Sequence, residues 1–207
     1  TVADRYRTNH RLEIVKSDDF DLIDTLARLY DEPYADSSAI PTYRVCQLAR
    51  QHVTVALSGD GGDEAMGGYR RYHMHLMEER MRSALPHGLR RPLFATLGRL
   101  YPKADWAPRM FRAETTFEGL ARNSVEAYFH SMSLTRQPMR NNLYSTAFKS
   151  QLGGYSALEV FERHAGRAQT DDPLALIQYI DLHTYLVGDI NTKVDRASMA
   201  HSLEVRE

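Results

Sequence analysis

Apolar residues recur along this chain with two different periods, and the switches between them divide it into elements. Residues 11–15 alternate polar and apolar positions, the period of a strand with one buried face. Ser17-Asp18-Asp19 then offers N-cap oxygens to a helix over 20–30, in which Phe20, Ile23, Leu26, Ala27 and Tyr30 recur at helical spacing until Pro33 closes it. Asp36-Ser37-Ser38 caps a second helix over 39–51, with Pro41 near its first turn, where a missing N–H does no harm. Residues 53–57 form a compact β-branched run closed by Ser58-Gly59, which predicts a buried parallel strand with residues 58–62 at its C-terminal edge. The order strand, helix, helix, strand, loop, helix predicts a parallel sheet, because parallel strands need crossovers and helices supply them.

From 72 to 167 the residues turn to Arg, Met, Leu and aromatics, punctuated at Pro86-His87-Gly88, Pro102, Pro108 and Gly153-Gly154. That pattern predicts helices throughout and no strand. Asp172-Pro173 is an N-cap and N1 pair opening a helix through Leu174, Ile177, Ile180 and Tyr185; Gly188 interrupts it, and Asp189 begins a second helical stretch to about Ala200. The chain thus reads as three segments: an α/β part over 1–71, a helical region over 72–171 and closing helices over 172–207. Neither repeats nor low-complexity tracts occur in it.

Composition narrows the function classes. With 43% hydrophobic and 26% charged residues the balance is that of a soluble globular protein, and a formal charge of -1 removes the electrostatic case for general nucleic-acid binding. No apolar run approaches the roughly 20 residues that span a bilayer. One cysteine, Cys46, forms no internal disulfide, which fits a reducing compartment such as the cytoplasm or simple indifference to redox state. The chain opens on Thr1 without an initiator Met and stops at Glu207 without polar fraying, so an excised piece of a longer protein is expected.

Candidate chemistry concentrates in Ser58-Gly59-Asp60-Gly61-Gly62-Asp63-Glu64, placed where a parallel strand ends and a helix begins, the rim on which α/β sheets hold ligands. Its glycines let backbone approach a ligand closely, and a helix N-terminus behind it favours anions. The loop has no Lys and matches neither common phosphate-binding glycine pattern. Asp60, Asp63 and Glu64 repel a bare phosphate, so phosphate is held here only through Mg²⁺; the alternative is a turn whose acids merely suit a helix start. Gly67-Gly68-Tyr69 follows one turn later, which makes the intervening helix very short or closely packed. Asp189, Lys193 and Arg196 share one helical face, with Asp195 and Met199 on the adjacent one. Two cations beside a carboxylate suit a phosphate or acyl-adenylate, and a solvated i,i+4 pair of Asp189 with Lys193 is the plain alternative.

Taken together, the run from Ser58 to Glu64 with Gly67-Gly68-Tyr69, the stretch Lys193-Val194-Asp195-Arg196-Ala197-Ser198-Met199-Ala200-His201-Ser202-Leu203-Glu204-Val205-Arg206, and Asp31-Glu32-Pro33 with Asp36-Ser37-Ser38-Ala39-Ile40-Pro41-Thr42 resemble the synthetase domain of the glutamine-dependent asparagine synthetase family. The resemblance implies an ATP-pyrophosphatase fold, α/β with a parallel sheet flanked by helices and a largely helical second half. It implies a carbon–nitrogen ligase in which Mg-ATP adenylates a carboxylate, aspartate or a related acid, for attack by ammonia drawn from glutamine. Carried over by position, Ser58 and Gly59, with Gly61 beside them, contact the nucleotide; Asp60 replaces an acid, commonly Glu, linked to forming and aminolysing the adenylate; Asp63 helps hold Mg²⁺ and pyrophosphate; Asp189 and Lys193 belong to the catalytic set.

Two departures accompany the resemblance. The family's pyrophosphate loop, Ser-Gly-Gly-x-Asp-Ser-Ser, is not in this sequence, nor is the N-terminal glutaminase domain with its catalytic Cys, for which Cys46 is no substitute. The Pro-Phe-Leu-Asp continuation after Glu204-Val205-Arg206 is also missing. The chain is therefore expected to be an internal portion of the synthetase domain, inactive alone, with the glutaminase domain of its parent as partner and a homodimer as a compatible assembly. Asp60 in place of Glu leaves room for relatives acting on other carboxylates, including lactam synthetases and exopolysaccharide- or exosortase-associated amidotransferases. A partner-binding domain that keeps the scaffold without catalysis is the competitor from another class.

Overall fold

The computed structural model describes residues 2–15, 22–101 and 114–207. In chain order its elements are α1 (Val2–Tyr6), α2 (Ile23–Tyr30), α3 (Ala39–Arg50), β1 (Val55–Leu57), α4 (Gly62–Met66), α5 (Arg70–Ala84), α6 (His87–Leu100), α7 (Glu114–Leu120), α8 (Ser124–Met132), α9 (Gln137–Leu143), α10 (Thr146–Leu152), α11 (Leu158–Ala165), α12 (Pro173–His183), a π-helical turn (Leu186–Asn191), α13 (Thr192–Met199) and β2 (Glu204–Arg206). The architecture is α/β, a small parallel sheet flanked by helices with a long helical stretch between its strands. It divides into two compact units, one of residues 1–61 with 186–207 and one of residues 62–185.

In the first unit β1 and β2 run parallel, with Val55 opposite Glu204, Ala56 opposite Val205 and Leu57 opposite Arg206. Helix α3 packs on α13 through small side chains: Cys46, Ala197 and Leu203 are buried, and Ala49, Ala56 and Val205 close over them. Alternation therefore sends Ala56 and Val205 inward and their neighbours outward. The expectation of a wholly buried strand is corrected accordingly, since Val55 is 42% and Leu57 86% exposed. The expected strand at 11–15 is also absent: this stretch is irregular and Leu12 and Ile14 stand open to solvent. A period of two gives a strand only where a neighbour completes the ladder, and the partner of β1 comes instead from Glu204-Val205-Arg206.

The helix expected over 20–30 is α2, which begins at Ile23 among the described residues; Phe20 and the proposed caps Ser17-Asp18-Asp19 lie outside them. Leu26 and Tyr30 of α2 pack on Ala39 of α3, with Leu29, Tyr34 and Tyr43 around them. Ser38 stands at the N-cap of α3 without capping it by its side chain; its N–H and hydroxyl donate to the Asp36 carboxylate instead.

The second unit is helical throughout among its described residues, as the pattern predicts, although Pro102 and Pro108 lie outside them. Tyr72, Tyr128, Ile177 and Ile180 form its core, with Val125, Phe161 and Leu174 packed on them. Asn123 and Glu126 close a capping box on α8, and the Asp172 carboxylate accepts from Leu174 N at 2.9 Å with Pro173 at the first helical position. After α12 the helix departs from regular geometry at Thr184 rather than Gly188, which lies inside the π-helical turn. The second helical stretch thus starts at Leu186, three residues before Asp189.

Candidate functional site

The glycine loop leaves the C-terminal end of β1. Ser58 N donates to Arg206 O at 2.9 Å, extending the ladder by one bond, and its hydroxyl donates to Asp60 Oδ2. Asp60 N points back at Ser58 Oγ, 3.4 Å away. Gly61 turns the chain at φ +83°, a conformation other residues adopt only with strain, and a Cβ there would sit 3.7 Å from a Leu186 methyl. Ser58, Gly59, Asp60 and Gly61 thus form one tight rim turn whose only carboxylate is held by its own serine.

Asp63 opens α4 in the second unit, exposed and in the first helical turn. Helix α4 has five residues, so the dipole expected behind the loop is that of little more than one turn. Its shortness has a visible cause: Gly68 N bonds to Asp63 O at 2.9 Å, and a Cβ on Gly68 would lie 2.1 Å from Asp63 Oδ1 and 3.3 Å from its Cα. A side chain at position 68 would push the Asp63 carboxylate aside and press on its Cα. Both readings of Gly67-Gly68, a short helix and a close approach, hold together.

The second constellation lies on the π-helical turn and α13. Asp189 accepts the Tyr34 hydroxyl at both its carboxylate (2.5 Å) and its backbone oxygen (2.6 Å). Lys193, 6% exposed, donates to Asp36 Oδ2 at 2.7 Å and Ser38 Oγ at 2.8 Å. Arg196 donates to the carbonyls of Leu29 and Tyr30, closing the C-terminal end of α2. The shared face therefore does not pair with itself: each of the three groups finds its partner on α2 or in the segment joining α2 to α3.

Electrostatics follow from those contacts. Burial opposes charge on Asp36, but the hydrogen bonds from Lys193 and Ser38 and the Lys193 charge outweigh it and hold this carboxyl below its ordinary range. Tyr30 stacks on Tyr34 with centroids 4.2 Å apart; burial, then Asp36, pushes its hydroxyl up to about 12. Burial and the Asp189 hydrogen bond raise Tyr34 further. A cavity of about 310 Å³ opens beside these groups, lined by Tyr30, Tyr34 and Asp36 among apolar side chains of α2 and α3. On α3, Cys46 packs against Ala197 and is raised by burial and then by the Asp60 charge, so the rim carboxylate makes itself felt at the α3–α13 contact. Among the described residues, no hydrogen bond or ion pair joins Asp60 to Lys193 or Arg196.

A polar network in the second unit escaped the sequence reading. Asp181, fully buried, accepts from Arg71 Nη2 (2.7 Å), Tyr72 OH (2.7 Å) and Tyr128 OH (2.6 Å). Arg71 also lies over the Tyr69 ring, 3.5 Å from its centroid, and Tyr69 OH donates to the buried Glu64 at 2.6 Å. Gln178 of α12 donates to the carbonyls of Glu64 and Ala65. The turn carrying Gly67-Gly68-Tyr69 is in this way fixed to α12. One sequence signal for it existed: Asp181 falls four residues after Ile177 and beside Ile180, a carboxylate on an apolar stripe, which is stable only with partners.

Among the described residues, no cluster of three His, Cys, Asp or Glu side chains is arranged to hold a metal, and no helix is long and apolar enough to cross a membrane.

The family described as asparagine synthase matches residues 1–207. Asparagine synthetase (glutamine-hydrolysing) 1 of Bacillus subtilis strain 168 is 31% identical over 177 residues, 86% of this chain and 26% of the relative. A Mycobacterium bovis protein provisionally given the same enzyme name is 32% identical over 209 residues, 99% of this chain and 30% of its own length. A Methanocaldococcus jannaschii protein, likewise provisionally named, is 52% identical over 69 residues, 33% of this chain and 13% of its own. The chain thus spans less than a third of the length of these relatives. No solved structure gives a significant match.

Proposed function

The chain belongs to the asparagine synthase family, and on that premise we propose that it is part of the synthetase domain of an ATP-dependent amide-forming ligase, in which a carboxylate is adenylated and the adenylate is attacked by ammonia. The observation that carries this reading is the Ser58–Asp60–Gly61 turn at the C-terminal rim of a parallel strand, where an α/β sheet holds its ligand. Ser58, Gly59 and Gly61 give the nucleotide close backbone approach. Asp60, tied to Ser58, is placed to steer the amine by hydrogen bonding, and its lone pairs beyond that bond are available to an incoming N–H. Lys193, fixed between Asp36 and Ser38, supplies positive charge to the phosphate of the adenylate, and Tyr34 holds Asp189 in a single orientation beside it.

The residues fit Mg²⁺ as this ion is ordinarily bound with nucleotides, through one or two carboxylates and the phosphates rather than a full protein cage. Exposed Asp63, held at the Gly68 crossing, is the carboxylate to do so. Bound there, Mg²⁺ supplies charge neutralisation to the phosphates. The parent enzyme draws its ammonia from an N-terminal glutaminase domain and works in the ATP-rich cytoplasm; a homodimer is compatible with this reading.

Aspartate is the substrate that the family name suggests. The shorter Asp60, where the family commonly has Glu, favours a second reading in which the acyl group is another carboxylate. The test is Asp60→Asn in the parent enzyme, assayed with aspartate and other carboxylates. Amide formation is expected to fall at least about 100-fold, the scale of one lost polar group acting on a transition state, while ATP affinity changes little; undiminished amide formation overturns the role of Asp60.

A further inference from the structure

The helical unit carries a cavity of about 740 Å³ walled by α6, α7, α8 and α9. Five arginines line it: Arg91 and Arg99 from α6, Arg122 between α7 and α8, and Arg136 and Arg140 at and after the start of α9. Two carboxylates share the wall, and both are engaged. Glu118 Oε2 stands 2.8 Å from His130 Nε2 and 3.7 Å from Arg136 Nη1, while Glu126 accepts from Asn123 N in the capping box of α8.

Of the five arginines, only Arg136 stands within 4 Å of a carboxylate among the described residues. Arg122 is oriented by the Glu118 backbone carbonyl, and Arg140 by Gln137 Oε1 at 2.8 Å and by the face of Phe129. These partners are neutral. They fix the guanidinium groups without cancelling their charge. Among the described residues, five guanidinium groups against two carboxylates leave the lining with an excess of three positive charges, in a chain whose formal charge is -1. Buried His130 records that field: burial, then Arg122 and Arg136, lowers its pKa despite Glu118 beside it.

We propose that this cavity binds a small polyanion, its phosphate or carboxylate oxygens gripped by the converging arginines. Guanidinium forks match both oxyanions bidentately, and the volume lies within the roughly 300–1,000 Å³ of small-ligand sites. Convergence into a concavity, rather than a basic stripe along a face, suits a small molecule and not a nucleic acid.

The purified protein is titrated calorimetrically at fixed ionic strength with tripolyphosphate and, separately, with citrate. Saturable one-site binding of either is expected; the tighter probe identifies the oxyanion class. Arg91→Gln/Arg99→Gln is expected to weaken it at least about tenfold, whereas Arg70→Gln/Arg80→Gln, exposed on α5 and outside the cavity, leaves it unchanged. Should the first double variant melt early, Arg140→Gln is the substitute. Absence of saturation by both probes at millimolar concentration overturns the proposal. So does equal weakening in the two double variants, the sign of diffuse attraction.

Discussion

At the scale of single residues, one close approach stands beside the glycine loop, and an added methyl group would disturb it. Gly68 crosses Asp63 so tightly that a methyl group would overlap the carboxylate. Gly68→Ala is expected to destabilise the protein by about 1–2 kcal/mol, the size of a local overpacking penalty, by driving the Asp63 side chain out of its position. In an Asp63→Ala background the obstructing carboxylate is gone, so the same change costs measurably less. Urea denaturation of the four proteins of this cycle checks it, and strictly additive effects would falsify the contact as the reason for glycine. His75 gives a prediction in pH. Burial, then the Arg82 charge, lowers it from 6.5 to about 4, against the opposing pull of Glu79; Ser124 Oγ is its hydrogen-bond partner and Tyr128 its aromatic neighbour. Between those values the unfolded chain binds the proton that the folded protein refuses, so stability rises with pH. The contribution is fully present above pH 6.5 and is lost as pH falls towards 4. His130, His164 and His201, lowered as well, push the same way. His75→Gln is expected to flatten part of the slope of unfolding free energy between pH 6.5 and 4, by up to about 3 kcal/mol in total; an unchanged slope excludes His75 as its source.

At the scale of elements, what was legible had a local cause. Asp172-Pro173 announces α12 because both residues act on the helix end they occupy, and α3 ends within one residue of expectation because its apolar face and Pro41 are local too. The strand at 11–15 failed and β2 went unseen for one reason: a strand is defined by its partner, and Glu204-Val205-Arg206 pairs with a segment some 150 residues earlier. The glycine rim of the site was readable, since glycine marks backbone demands directly. The supports of the site were not, because Tyr34, Asp36 and Ser38 reach Asp189 and Lys193 across the fold. The same holds for the Asp181 network, which ties α5, α8 and α12 together through three donors on one oxygen. Asp181→Ala strands the Arg71 guanidinium and two tyrosine hydroxyls in the core and is expected to cost about 3–5 kcal/mol. An Asp181→Asn protein keeps an acceptor oxygen and is expected to lose less. Chemical denaturation ranks them, and equal losses would mean that the network requires the negative charge, an acceptor oxygen of the same volume being no substitute.

At the scale of the whole molecule, positive charge near the proposed nucleotide rim is the scarce quantity. The turn at Ser58–Gly61 offers a hydroxyl, backbone groups and the Asp60 carboxylate, but no cation. Of the cations in the same unit, Arg206, opposite Leu57, is paired with Glu204, Arg196 is bound to the carbonyls of Leu29 and Tyr30, and Lys193 shares its charge with Asp36. A triphosphate brought here meets acids first, and the Ser-Gly-Gly-x-Asp-Ser-Ser sequence that the family uses for pyrophosphate is not among these 207 residues. Mg²⁺ offsets only part of that repulsion, because it bridges carboxylates to phosphates the protein has already positioned, and positioning is most of what adenylyl transfer requires. The 207-residue chain by itself is therefore expected to bind ATP weakly and to release no pyrophosphate from Mg-ATP with aspartate or other carboxylates, while the parent protein does so under the same conditions. Pyrophosphate release is measured for both, with the Lys193→Gln parent as a third sample that separates loss of the cation from loss of the loop. A Lys193→Gln parent that is impaired while retaining ATP binding places the lysine at the adenylate. Robust turnover by the short chain shows that the rim at Ser58 and the Lys193 ammonium suffice without a separate phosphate loop, and the division of labour argued for this site then fails.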